Sequence, residues 1–253
     1  INTGTIDPYF TTWGREELTN KGAKHLFPYL PKDSETISAN RHNLYSSPKI
    51  IISKIGLRCE AFYDRNGEYA SINTNCIHSF SDDFVPEYLL AWLNSKLYNY
   101  TFECLFDGLR MSGGYLLFSA PNLKSTSIKK IDSNKQMAFV PLVRKIEKQI
   151  LTHLELRSNF IEHFRSKFSI DKTSMKIQNW PELDFKGFLA EIKKNKVKLS
   201  LEEEAEWMQY FNKKKAEANA LKSEIDRIDR QIDQMVYELY GLTDEEIKIV
   251  ENS

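Results

Sequence analysis

The chain has 253 residues, 41% apolar and 28% charged, and its 35 basic and 35 acidic side chains cancel. These are globular values for one large or two small domains, and they exclude a disordered chain. They also exclude nucleic-acid binding by bulk basicity: residues 1–131 hold 14 of the 35 Lys/Arg and 13 of the 35 Asp/Glu, so such a function needs charges gathered in space. Cys59, Cys76 and Cys104 are odd in number and lack a CxxC pair, which reads as reduced thiols in a cytoplasmic protein. Cys59 and Cys76 beside His78 read as burial ahead of a metal site. There is no signal peptide and no apolar run of membrane-spanning length. The first residue is Ile1, not Met, so the expectation is a fragment of a longer polypeptide.

Residues 1–131 read as a mixed α/β domain with short strands. Tyr9 to Trp13 is aromatic and β-branched, a strand or extended loop. Asn20-Lys21-Gly22 marks a turn, and Pro28, Pro31 and Pro48 punctuate a loop-rich stretch. Lys49 to Ile55 is the strongest strand, a short apolar run suited to a buried position. Cys59 to Asp64 and Tyr69 to Ile77 flank Asn66-Gly67 and predict a β-hairpin. Pro86 opens a helix in which Tyr88, Leu89, Trp92, Leu93, Leu97 and Tyr100 share a face. Arg110 to Gly114 is a flexible loop before a fourth strand at Tyr115–Phe118. Pro121–Ser127 is a loop or short turn, and Ile128–Ile131 is a fifth strand or an exit.

Residues 132–253 read as a helical spacer or brace. Ser133 with Gln136 is a capping box, and Phe139, Val143, Ile146, Ile150, Leu154, Ile161 and Phe164 mark an amphipathic helix to about residue 167. Residues 169–199 form a connector with a short helix near Gly187–Lys196. From Ser200 to Gly241, Leu221, Ile225, Ile228, Ile232, Met235 and Leu239 step by four and three, a heptad seam. Ala218, Phe211 and Trp207 continue it past a charged break at Lys214. Ser200 with Glu203 caps the start, and Gly241 closes the end. A helix of about 40 residues is about 60 Å long, so its stripe needs a partner. The fold class is therefore α+β: a mixed-sheet domain followed by a long antiparallel, coiled-coil-like helical hairpin. Pairing within the chain predicts a monomer. Thr243 with Glu246 opens a short last helix.

No phosphate-binding, dinucleotide, zinc-protease or hydrolase signature is present, nor the Asn-Pro-Pro-aromatic element of amino-methyltransferases. Asp184 with Glu191 and Lys193 matches the loose spacing of magnesium-dependent nucleases, but it lies in a Lys-rich helical connector where a solvated charge run is the plainer reading. Polar loop residues beside strands form the candidate DNA-binding set: Arg41, Asn43, Lys49, Lys54, Arg58, Asn73, Asn75, Arg110, Ser112 and Lys124. His42, Thr74, Asn122 and Ser125 stand beside them. Arg and Lys suit guanine edges or phosphates and Asn suits adenine. The alternative is ordinary loop polarity, with the helical hairpin serving as a protein-interaction coiled coil.

Several segments carry a resemblance: Pro48–Gly56, Leu89–Leu97 with its LNSKL, Gly113–Phe118, Phe139–Val143, and Ile232–Thr243, IDQMVYELYGLT. In this order they span nearly the whole chain, and it resembles the TaqI-like C-terminal specificity domain of type IIG restriction–modification enzymes and adenine-specific DNA methyltransferases. The resemblance implies a module that reads a short double-stranded DNA sequence, without catalysis of its own. It implies an upstream adenine-N6 methyltransferase using S-adenosylmethionine, and in many members a magnesium-dependent nuclease, on the same polypeptide. No cofactor is expected in residues 1–253.

Overall fold

Three consecutive isoleucines with no polar alternation need cover on both faces, and Ile50, Ile51 and Ile52 are fully buried. The computed structural model describes residues 1–253 and is α+β. It divides into a first unit, Ile1–Lys145 with Arg230–Ser253, and a second, Ile146–Asp229.

The first unit begins with two antiparallel hairpins: β1 (Ile6–Asp7) with β2 (Phe10–Thr11), and β3 (Leu18–Asn20) with β4 (Ala23–His25). The Asn20-Lys21-Gly22 signal is the tip of the second. Lys21 and Gly22 there have φ of 48° and 83°, the two positive values of a primed turn that matches strand twist. Next come α1 (Ala39–Tyr45), β5 (Lys49–Ser53), β6 (Ile55–Gly56), β7 (Ala61–Asp64) and β8 (Thr74–His78). β5 is central in the order β7-β5-β8, antiparallel to both neighbours. Ile51 packs with Ile1, Ile6 and Phe62, and alternation sends Ile50 and Ile52 to the other face.

The hairpin predicted across Asn66-Gly67 does not form, because β8 pairs with β5 and not with β7. The type I′ turn that Asn-Gly favours needs positive φ at both central residues, and of this pair only Gly67 has it, at 67°. The Asp64 carboxylate instead accepts from the Glu68 and Tyr69 amides at 2.9 and 3.0 Å. That cap turns the chain away from β7 and leads it to the far edge of β5.

The predicted single helix is two, α2 (Pro86–Asn94) and α3 (Lys96–Phe106). Ser95 between them is extended (φ −70°, ψ 152°), and its hydroxyl accepts from the Tyr98 amide to cap the second. β9 (Leu116–Leu117) pairs antiparallel with β6. The loop expected after it is a short helix, α4 (Ala120–Lys124), capped by Ser119 with Pro121 in its first turn. Residues 128–131 leave as an exit without strand pairing.

α5 (Ser133–Met137) precedes α6 (Phe139–Phe168). The cap is Asp132, which accepts from the Lys135 amide at 3.0 Å, and not the predicted Ser133–Gln136 box. Gln136 is buried instead. It accepts from the Val85 amide at 2.7 Å and donates to the Asp83 and Ile131 carbonyls at 2.7 and 2.9 Å.

In the second unit α6 is followed by α7 (Met175–Gln178), α8 (Phe185–Lys194) and α9 (Leu201–Tyr240). α6 and α9 run antiparallel there, since Phe160 meets Phe211 while Phe164 meets Trp207. The connector is not filler. Trp180 stacks on Phe160 at 4.0 Å and Phe188 on Phe211 at 4.7 Å, completing an aromatic core of fully buried rings. Ser200 and Glu203 form the expected reciprocal cap of α9.

The last turns of α9 belong to the first unit. Their buried positions are Ile232, Asp233, Val236 and Tyr237, whereas Met235 and Leu239 are half-buried. The buried stripe of these last turns therefore departs from the heptad seam, taking Asp233, Val236 and Tyr237 in place of Met235 and Leu239. Gly241 (φ 71°) closes the helix with the Leu242 amide donating to the Tyr237 carbonyl at 3.1 Å. Thr243 and Glu246 then cap α10 (Asp244–Glu251) as predicted. No helix is long and apolar enough to cross a membrane.

Candidate nucleic-acid interface

The LNSKL segment is a joint inside the first unit. The Asn94 side chain accepts from the Ala61 amide and donates to the Ala61 carbonyl, both at 3.0 Å, so it closes the free edge of β7. The Lys96 amide, at the start of α3, donates to the buried Asp233 carboxylate of α9 at 2.9 Å. A carboxylate is well placed there, because the first helical amides are unsatisfied and carry the positive end of the dipole. Lys96 Nζ pairs with Glu251, which also accepts from the Tyr237 hydroxyl at 2.8 Å. Trp92 stacks on Tyr240 at 4.7 Å. The LNSKL and IDQMVYELYGLT segments therefore hold each other, with Asn94, Ser95, Lys96, Asp233 and Tyr237 bonded within this joint and its surroundings.

Three of the ten candidate residues prove to be scaffold. Lys49 is fully buried, with Nζ 2.5 Å from the Asp64 carboxylate and 2.7 Å from the Tyr45 carbonyl. It cannot reach DNA, and its place in the set is corrected: β5 and β7 pair Lys49 directly opposite Asp64. Asn75 donates its amide to the Phe118 carbonyl, joining β8 to the segment after β9. Arg110 donates to Asp107, Glu103 and the Gly114 carbonyl, and the Asp107 bond in particular raises its pKa. It organises a tight loop in which the Gly114 amide donates to the Met111 carbonyl at 3.1 Å. Asn122, too, is held, donating to the Leu117 carbonyl at 2.9 Å.

The other seven keep polar groups available. Arg41 and Asn43 are exposed on α1, Lys124 at the end of α4, and Ser112 on the loop organised by Arg110. Arg58 is exposed and only loosely paired with Glu60, at 3.8 Å. Lys54 is half-buried, while Asn73 is exposed with φ of 54°. Lys54 and Asn73 are brought together by Thr3, whose hydroxyl donates to the Asn73 carbonyl and accepts from the Lys54 amide at 3.1 Å. Asn2 adds the β3–β4 hairpin to this cluster by donating its amide to the Thr19 carbonyl at 3.3 Å. Sequence reasoning missed Asn2 and Thr3, whose small polar side chains carry no local signal. Arg41 with Asn43, and Ser112, lie on separate elements from this cluster. The surface offers donors for phosphates and base edges.

The other candidates for chemistry have structural roles. Asp184 caps α8, accepting from the Gly187 amide at 2.7 Å. Glu191 lies seven residues on, about 10 Å along a helix, and a shared metal ion needs both carboxylates within about 2.2 Å of it. Lys194 at 2.6 Å, then Ser174 at 2.8 Å, lower the Glu191 pKa. No three His, Cys, Asp or Glu side chains converge on a metal-sized site. Burial pushes the Cys59 and Cys76 thiols up, away from the reactive thiolate.

The comparisons with known proteins divide the chain in two. The model described as the TaqI-like C-terminal specificity domain matches residues 4–131, which bears out the resemblance for Pro48–Gly56, Leu89–Leu97 and Gly113–Phe118, whereas Phe139–Val143 and Ile232–Thr243 lie outside the match. The model described as Domain of unknown function (DUF8810) matches residues 132–236. No curated protein matches the chain.

Proposed function

Since the chain belongs to the TaqI-like C-terminal specificity domain family, we propose that it reads a short double-stranded DNA sequence and positions an adenine-N6 methyltransferase on it. The methyltransferase, and a nuclease where one is present, lie upstream on the same polypeptide. S-adenosylmethionine and magnesium belong to those domains. This chain contributes no catalytic residue, and its helical pair acts as a brace. The contact set is Arg41, Asn43, Lys54, Arg58, Asn73, Ser112 and Lys124. One observation supports this reading most: the side chains of Asn94 and Asp233 are consumed in holding the fold, while these loop side chains are largely left with donors facing solvent. Phosphate contacts supply salt-dependent affinity and base contacts supply specificity. With zero net charge, the chain alone binds weakly, and the catalytic domain completes the clamp.

Selection from a random-sequence duplex library tests this, with the chain alone and joined to its methyltransferase. One short motif is expected to be enriched in both. No enrichment in either would sink the reading. Magnesium-dependent cleavage by this chain that vanishes in Glu191→Ala would replace it with a nuclease.

A further inference from the structure

We propose that the β3–β4 hairpin enters the major groove of DNA and that Asn20, Lys21 and Lys24 read bases there. The inference rests on the specificity reading above and adds an element that the loop residues do not include. The hairpin has three residues per strand, a length of about 10 Å at about 3.4 Å per residue. The major groove is about 8.5 Å deep and about 12 Å wide, and it admits a two-stranded ribbon. Leu18 is buried at the root, and every residue from Thr19 to His25 is exposed.

An isolated two-stranded hairpin is marginal in water, so this one needs bracing, and its root has it. Asn2 donates to the Thr19 carbonyl at 3.3 Å. Past β4, the Gly14 amide donates to the Leu26 carbonyl at 3.1 Å, and Trp13 Nε1 donates to the Pro28 carbonyl at 2.9 Å. Phe27 packs edge-on against Trp13 at 5.5 Å. The projecting part makes no comparable side-chain contact with the fold.

The tip carries donors suited to base edges. Lys21, held at φ 48° by the turn, has no ion-pair partner, and Asn20 precedes it. Lys24 pairs with Glu17 at 3.2 Å, with both side chains more than half exposed. Such a pair is weak enough for DNA to displace. Asn2 also bridges to Ile72, and its neighbour Thr3 joins Asn73 to Lys54. The hairpin thus rises beside the cluster already assigned to DNA.

The test uses the duplex selected by this chain, a scrambled duplex, and the variant Asn20→Ala with Lys21→Ala, whose unchanged thermal melt shows that it folds. Binding to the selected duplex is expected to fall about tenfold, the scale of a single base-edge pairing. Binding to the scrambled duplex falls less than threefold, and reselection loosens one or two adjacent base pairs. Selected duplex carrying 7-deazapurines, which lack the N7 acceptors of the major groove, weakens binding of the parent chain more than that of the variant. The same motif bound with the same affinity by the variant overturns the hairpin's role and leaves the specificity reading intact. Equal losses on both duplexes reduce the hairpin to a phosphate contact and also overturn the inference. If the parent chain selects nothing, the specificity reading fails and the inference falls with it.

Discussion

Two regions of the first unit treat their polar side chains in opposite ways. At the joint of α2, α3 and the end of α9, Asn94, Ser95 and Asp233 satisfy backbone groups of other segments or cap their own helix, and they sit in or beside the core. On α1, the β3–β4 hairpin, the Thr3–Asn73–Lys54 cluster and α4, side chains of the same chemistry are exposed or half-buried and open to water. A buried polar group without a partner is costly, so the joint tolerates little change. The surface tolerates change readily, which is what a module that must read different sequences requires. Of the joint's segments, LNSKL lies within the family match and the end of α9 outside it.

The largest effect expected across this divide is at Lys49. Lys49→Ala leaves the buried Asp64 carboxylate unpaired and is expected to cost about 3–5 kcal/mol of stability, read as a lower denaturation midpoint. Unchanged stability with weakened DNA binding would return Lys49 to the interface. Asn94→Ala orphans the Ala61 amide, while the Ala61 carbonyl keeps the Tyr9 amide at 2.8 Å, with an expected cost of about 1–2 kcal/mol. Asp233→Ala frees the Lys96 amide and is expected to cost about 1–2 kcal/mol. Both variants that still fold should select the parent's DNA motif. A changed motif would blur the division between joint and surface. The smallest effects on stability are expected at Arg41→Ala and Lys124→Ala, within about 0.5 kcal/mol. Each should flatten the dependence of log affinity on log salt by about one unit for every phosphate it no longer neutralises. Sedimentation at high concentration should show a monomer, with α6 paired to α9 in its own chain. A dimer would favour an interaction coiled coil.

Features with local causes were legible in the sequence. The Ile50–Ile52 strand, the Ser200–Glu203 and Thr243–Glu246 caps, and the Gly241 stop each follow from neighbouring residues and appear as read. Features with distant causes were not. Ser95 breaks a continuous apolar pattern, and the Asp233 that receives the next amide lies 137 residues away. β8 reaches β5 because Asp64 caps the following turn while also holding Lys49. Lys49 read as a DNA contact because its counterion becomes a neighbour only when β5 and β7 pair. Arg110 could have been suspected of a scaffold role, since Asp107 stands three residues before it. For the candidate site, residue chemistry marked the loops, but composition could not separate donors spent on the fold from those still open to a ligand.

Hydrogen exchange of the chain with and without its selected duplex tests the central claim most directly, because it reads both regions at once. New protection is expected across residues 18–25, 41–45, 73–75 and 120–124, with residues 94–97 and 232–240 unchanged. Protection confined to the joint, with the hairpin and loops unchanged by DNA, would contradict the division between a reading surface and a structural joint.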